Sequence, residues 1–404
     1  MTSGPGVRTS PLTATGLAVL FAILPLYGTF AALAPQTPGI PPLVPRAAAA
    51  SVALIALLAL VAVLPAGLRA ARRDALTFAF LSPGLATIAA AVTGFDPPLG
   101  IGLGLFVTGF GCAALALARA ADAPTARLCL RVFLWSGLAA AVLALAMVVT
   151  RRPAALYAFD NGRAVGTFLN PNELAAYTLM GLGVAVPLAL LSRGRDRLAV
   201  ASALVLALTL AATFSRWGAL SAVCGVAVYA LAARARGLLV AAVAVALAGV
   251  ALDTLAGAQH HNPRDVEART VAWRTGLTTF ARFPLLGAGP LAFPRTYDEM
   301  RPPSAPGTRT AVAFDPHSLP IAFAAEGGIV AVVTLAASFT IVLGTTLRAA
   351  RGAPPAPRVL ALAVASALVA LMIHVSINTV SLLFPLGLQV VPLALAVVRT
   401  DALR

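Results

Sequence analysis

Long apolar runs recur along this 404-residue chain, each close to the length that crosses a lipid bilayer, about 17 to 25 residues. They can be drawn at roughly 12–34, 47–65, 75–93, 99–118, 132–149, 174–191, 198–213, 218–233, 238–255, 318–347, 359–377 and 380–398. The pattern predicts an all-α integral membrane protein with about twelve transmembrane helices. Composition agrees: 60% of the residues are hydrophobic and only 11% charged, against about twice that charged fraction in a soluble domain. A soluble globular fold is excluded.

All 29 basic residues are arginine, and they are spread unevenly between the apolar runs. With a cytoplasmic N-terminus, seventeen fall on the cytoplasmic side, and the short outer turns hold only Arg46 and Arg216. The positive-inside bias therefore predicts both termini in the cytoplasm and an even number of spans. The remaining ten arginines sit in two longer outer segments, 150–172 and 256–317. A net charge of +15 would suggest nucleic acid in a soluble protein. Here it is topological signal and attraction to lipid headgroups, so membrane lipids and not nucleic acid are the expected contacts.

No fixed-period repeat or separate soluble domain is visible, so residues 1–404 read as one polytopic membrane domain. Cys112, Cys129 and Cys224 lie in or beside spans without paired spacing and read as small core residues. Residues 1–34 resemble a secretory signal ending in Ala32-Leu33-Ala34, but the run from Gly16 is longer than the usual signal core of about 7 to 15 residues. An uncleaved first helix is expected.

The segment 256–317 is the larger outer loop and 150–172 the smaller. The first half of the larger loop reads as a helix, opening with Asp265 and Glu267 and stopping at Pro284 and Gly287. Val266, Trp273, Leu277 and Phe280 fall on one stripe, which predicts an amphipathic helix lying on the membrane surface. From Pro290 to Phe314 the chain reads as irregular loop. Within the spans the only ionisable residues are Asp253, Glu326 and His374, all toward the outer ends. A transporter usually places costly charges near the midplane, whereas this interior is otherwise uncharged.

Candidate chemistry therefore gathers on the outer side. In Phe314-Asp-Pro-His-Ser-Leu-Pro-Ile321, His317 stands where a polar loop meets a span that runs on through Glu326-Gly-Gly. Imidazole is the side chain best suited to moving protons near neutral pH, although a loop histidine bonded to backbone is the ordinary alternative. Gly162-Arg163-Ala-Val-Gly-Thr-Phe-Leu-Asn170-Pro-Asn172 can make a tight turn capping the next helix, whose N-terminus attracts anions beside Arg163. Arg269 and Arg274 bracket Trp273, a pattern that interfacial anchoring explains and that could also bind a diphosphate. Arg216 occupies a tight outer turn, where it either snorkels to the interface or finds a partner. His260 and His261 read as solvated, His374 as a helix–helix hydrogen-bonding residue, and Asp298-Glu299 as a weak metal signal, so no metal is expected.

Together these blocks resemble the O-antigen ligase and polymerase family of bacterial envelope glycosyltransferases, over roughly residues 160–345. Arg163 through Asn172 is similar to the family's Arg-x-x-Gly-x-Phe-x-Asn-Pro-Asn block. Arg269-x-x-x-Trp273, followed by Pro284-Leu-Leu-Gly-Ala-Gly-Pro290 and Phe293, resembles its outer-loop helix and glycine turn. His317 with Glu326 and Gly328 resembles its third block, with Ser318 where the family favours Asn and Ile321 where it favours Leu.

The resemblance implies a bacterial inner-membrane protein whose active site faces the periplasm. It would move a glycan from undecaprenyl diphosphate to lipid A-core without cofactor or metal. By that resemblance His317 is catalytic. Arg163, Arg216, Arg269 and Arg274 hold the donor diphosphate, and Asn170, Asn172, Trp273, Ser318 and Glu326 support them. A single displacement, inverting the anomeric centre, follows because no carboxylate pair is placed for a covalent glycosyl intermediate. The same blocks would serve an O-antigen repeat-unit polymerase or a protein O-oligosaccharyltransferase. A lipid-linked sugar flippase is the alternative outside the enzyme class.

Overall fold

The computed structural model describes residues 8–33, 46–153, 162–238, 240, 265–300, 315–378 and 383–403, and every regular element among them is helical. In chain order these are α1 (Pro11–Ile23, tightening into a 3-10 helix over Leu24–Leu33), α2 (Arg46–Ala70), α3 (Ala75–Val92) and α4 (Pro97–Leu115, ending in a π turn). They continue with α5 (Ala123–Thr150), α6 (Pro171–Leu191), α7 (Arg197–Ala212), α8 (Arg216–Ala233) and α9 (Asp265–Arg282). The last four are α10 (Phe293–Met300), α11 (Leu319–Gly352), α12 (Pro355–Ile377) and α13 (Leu383–Thr400).

Nine of the described helices are long and apolar enough to cross a membrane: α1 to α6, α8, α11 and α12. Two expected spans, 198–213 and 380–398, correspond to the shorter apolar stretches Arg197–Ala212 and Gln389–Thr400. All but residues 238 and 240 of the span expected at 238–255 lie outside the described residues, as do Asp253, His260, His261 and the loop pieces 154–161, 256–264 and 301–314.

Local sequence explains where the helices begin. Ser10, Asp74, Asp96, Asp122, Asn170, Asp196 and Ser215 stand at N-cap positions, and each side chain accepts a first-turn N–H. That contact satisfies donors a helix cannot satisfy itself. Small residues then set the spacing between helices, since lipid offers apolar surfaces no less apolar than a neighbouring helix. Gly111 of α4 is one case: a Cβ there would stand 2.1 Å from the Phe80 carbonyl of α3. The core holds an aromatic column, with Phe21 edge-to-face on Phe133 at 5.8 Å and Phe133 tilted against Tyr177 at 5.8 Å. Phe168 extends it at 5.0 Å from Tyr177, so the turn before α6 is anchored in the core of the bundle.

The helices alternate in direction and define two ends. The terminal end, where α1 begins and α13 finishes, is tied by Thr9 N–H to Asp122 (3.1 Å), by Arg119 to Asp74 (2.6 Å) and by both Asp196 oxygens to Arg131 (2.8 and 2.7 Å). The Arg119 hydrogen bond, helped by the Thr77 N–H, holds the Asp74 carboxyl at about 2. Arg399 of α13 donates to the Ala118 and Ala121 carbonyls at the end of α4. The opposite, loop end gathers residues 162–170, 212–216, 283–292 and 315–318.

Two differences from the sequence expectation lie at the loop end. Residues 293–300, expected as irregular loop, form α10, with Phe293 and Tyr297 buried one turn apart and Arg295 paired to Glu299 at 3.2 Å. Pro294 does not prevent this, because the first helical turn needs no proline N–H. Helix α11 is also not continuous: Gly328 has φ +64°, ψ −162° and breaks the hydrogen-bond ladder.

Candidate active site

The break in α11 exists because another chain segment passes through it. Ala288 N–H donates to Ala325 O (2.8 Å), Gly289 N–H to Glu326 O (3.0 Å) and Ile329 N–H to Pro284 O (2.8 Å), so residues 284–289 cross the kink. A side chain at Gly287 would stand 2.2 Å from the Glu326 carbonyl carbon, and one at Gly328 2.4 Å from that of Leu285. Pro284-Leu-Leu-Gly and Glu326-Gly-Gly are thus two halves of one crossing. Oε1 of Glu326 accepts from Phe293 N–H at 3.1 Å, which fixes the start of α10.

Helix α9 packs on α11 through small residues. Ala272, Thr275 and Thr279 are fully buried, and a Cβ at Gly276 would stand 2.5 Å from Ile321 and 3.5 Å from Pro316. The opposite face, carrying Leu277, is exposed. His317 follows Pro316 directly, and Arg269 lies seven residues from Gly276, about 10 Å along the helix. Arg269 Nη1 donates to Ile377 O at the end of α12 (3.4 Å). Trp273, one turn on, has a buried Nε1 with no hydrogen-bond partner among the described residues. Arg274 is exposed, about 140° around the helix from Arg269, so α9 does not bring those two arginines together.

His317 sits in a left-handed turn (φ +50°), its N–H donating to Asp315 Oδ1 at 2.6 Å and its Nδ1 3.6 Å from the same oxygen. The imidazole is 43% exposed, with the Asp315 carboxylate beside it. Ser318 is buried and caps α11 through its carbonyl, which accepts from Ala322 N–H at 2.8 Å; its hydroxyl makes no cap bond.

The Arg163 block lies at the same end of the bundle. Asn170 caps α6 by accepting from Asn172 N–H at 2.8 Å, and Pro171 takes the first helical position. Arg163 Nε donates to Thr213 O (2.7 Å) and Nη2 to Asn172 Oδ1 (3.4 Å). That amide oxygen also accepts from Ser215 Oγ (2.9 Å), and Ser215 caps α8 immediately before the exposed Arg216. His374 of α12, fully buried, brings Nε2 within 3.0 Å of Asn172 O. The expectation of a helix–helix hydrogen bond there is met.

A continuous path of contacts therefore runs from Arg163 through Asn172 to His374, along α12 to Ile377 and across to Arg269. The structure connects Arg163, Asn170, Asn172 and Arg269 at the loop end, with Arg216 beginning α8 next to them. Sequence reasoning left out Thr213, Ser215 and Asp315. Ser215 was legible as an N-cap before Arg216, and Asp315 as an Asx residue two before His317.

With nine described helices long and apolar enough to cross a bilayer, the chain has the build of a multi-pass membrane protein, and its arginine-bearing cluster lies at one end of the bundle. Residues 201–336 match the O-antigen ligase family model, and the match supports the O-antigen ligase family, whose members are glycosyltransferase-like enzymes. The matched stretch contains Arg216, Arg269, Arg274, His317 and Glu326 and ends before His374. No curated protein matches the chain.

Proposed function

We propose that the protein is an O-antigen ligase-type glycosyltransferase of the bacterial inner membrane, transferring a glycan from undecaprenyl diphosphate to lipid A-core on the periplasmic face. The observation that carries this reading is the contact path joining Arg163 to Arg269, with His317 held by Pro316 against the same helix as Arg269. The guanidiniums face the donor diphosphate and the imidazole the acceptor hydroxyl.

In the transfer, the acceptor oxygen attacks the anomeric carbon as the bond to the diphosphate oxygen breaks. Charge develops on the departing diphosphate, where Arg163, Arg216 and Arg269 stabilise it; preorganised donors of this kind are worth about 10² to 10³ in rate each. Arg274, on the exposed face of α9, would reach the outer phosphate or a lipid headgroup. His317 takes the acceptor proton, with Asp315 orienting the ring. One displacement inverts the anomeric centre, and neither nucleotide sugar nor metal takes part. Asn170, Asn172, Trp273, Ser318 and Glu326 hold the surrounding turns.

The test uses cells lacking their own ligase and complemented with this chain. His317→Ala and Arg269→Ala should each give folded, membrane-inserted protein and bare lipid A-core. Normal lipopolysaccharide ladders from both variants would end the proposal. Accumulation of single repeats on the core in the deletion strain would move the assignment to a repeat-unit polymerase.

A further inference from the structure

Resting on that reading, we infer that His374 is a positioning residue: from inside α12 it holds the turn before α6 and so fixes where Arg163 presents its guanidinium to the donor. A buried imidazole between two apolar helices costs free energy unless its polar atoms are bonded, and leucine would fill the same space without that cost. What the imidazole adds is the contact with Asn172. The Asn172 carbonyl can only accept, so Nε2 carries the proton in this contact.

Asn172 is the node of the cluster. Its carbonyl meets His374, its N–H bonds to Asn170, and its side-chain oxygen takes both Arg163 Nη2 and Ser215 Oγ. Movement of this residue would shift Arg163 and the cap of α8 together.

A second observation places His374 between all three arginine-bearing arms. Gly225 of α8 packs on Ala370 of α12, with 2.9 Å between a Cβ there and the Ala370 Cβ. The two helices run antiparallel, so one turn further toward the loop end brings Ser221 and His374 to the same level. The Nδ1 of His374 and the Oγ of Ser221 are both buried without a hydrogen-bond partner among the described residues. The hydroxyl is a donor and the ring nitrogen, with Nε2 protonated, an acceptor. Three residues beyond His374, Ile377 O receives Arg269. His374 thus touches the α6 turn, stands level with Ser221 of α8, and shares its helix end with the contact to α9.

The experiment compares wild type, His374→Leu, His374→Gln, Arg163→Ala and the Arg163→Ala/His374→Leu double variant, each as full chain in liposomes with an undecaprenyl-diphosphate-linked glycan and lipid A-core. Thermal unfolding checks that each is folded. His374→Leu should lower kcat/KM for the donor about 100-fold, the scale of a misplacement near 1 Å. His374→Gln, whose amide N–H can reach the same carbonyl, should recover to within about threefold of wild type. The double variant should lose no more than Arg163→Ala alone. A substrate-free readout runs alongside: amide hydrogen exchange over residues 163–172 should quicken in His374→Leu and not in His374→Gln. Unchanged exchange and unchanged kcat/KM in His374→Leu would overturn the inference, as would additive losses in the double variant. Equal loss in the Leu and Gln variants would also overturn it and give the imidazole a role in the chemistry. If wild type transfers no glycan, the proposed function fails, and the exchange measurement alone decides whether His374 holds the turn.

Discussion

Two arginines at each end of the bundle are held in different ways, although Arg399 at the terminal end also donates to carbonyls and Arg295 at the loop end is paired to Glu299. At the terminal end Arg119 and Arg131 meet Asp74 and Asp196, and the pairs fasten one helix connection to the next. At the loop end Arg163 and Arg269 donate to the carbonyls of Thr213 and Ile377, contacts that fix where each guanidinium sits. The backbone differs in the same sense. Positive φ at the terminal end falls on Arg193, Gly194, Arg234 and Asp401, where helices stop, as Arg151 does at the loop end. At the loop end Phe214, Gly287, Gly289, Leu291 and His317 take positive φ inside the connections around the candidate site. Strain of that kind persists where surrounding structure imposes it, and it concentrates at functional sites. An arginine in this chain is therefore read by what holds it, not by its identity.

Breaking the loop-end half of that comparison should have the largest effect. Arg163→Ala and Arg269→Ala should each lower the initial rate of glycan transfer by about 10² or more with the protein still folded. Arg131→Ala, at the other end, should leave the rate within about twofold, because an exposed pair contributes little. Equal losses from both ends would erase the distinction.

The kink comes next. Gly328→Ala puts a side chain at φ +64° and 2.4 Å from Leu285, and should destabilise the protein by about 2 kcal/mol or more in thermal unfolding. Glu326→Ala leaves the Phe293 N–H without its acceptor and should cost about 1 to 3 kcal/mol, whereas Glu326→Gln keeps an acceptor oxygen and should cost less.

The smallest effect is expected at Asp74. Its folded pKa is depressed, so the contribution is present above the ordinary value of 3.8 and is lost as pH falls toward about 2. Asp74→Asn should remove that acid-side slope in a stability-against-pH series and cost under about 1 kcal/mol at neutral pH. An unchanged slope would show that Arg119 does not hold this carboxyl in solution.

Much of the architecture was legible because apolar length is a strong signal: α2, α5 and α12 fall where runs of 19 or so residues predict them, and Asn170-Pro-Asn172 begins a helix as its capping chemistry requires. Helix α10 was less visible because eight residues with a proline and several charges give too short a pattern, although the Phe293–Tyr297 spacing was present. The kink was hidden for a different reason. Glu326-Gly-Gly sits in an apolar run that reads as continuous helix, and the segment forcing it open is 40 residues upstream. The candidate site divided in the same way. Arg163, Arg269 and His317 stood out as polar residues at the edges of spans. The contact between His374 and Asn172 joins residues 202 apart in the chain, and no local pattern contains it.

The most direct test of the account is transfer by the purified wild-type chain in liposomes, with undecaprenyl-diphosphate-linked glycan and lipid A-core both on the face that exposes His317. The account predicts glycosylated lipid A-core and free undecaprenyl diphosphate in equal amounts, with both lost in Arg269→Ala. No product from wild type under those conditions, or undiminished product from the variant, would contradict it.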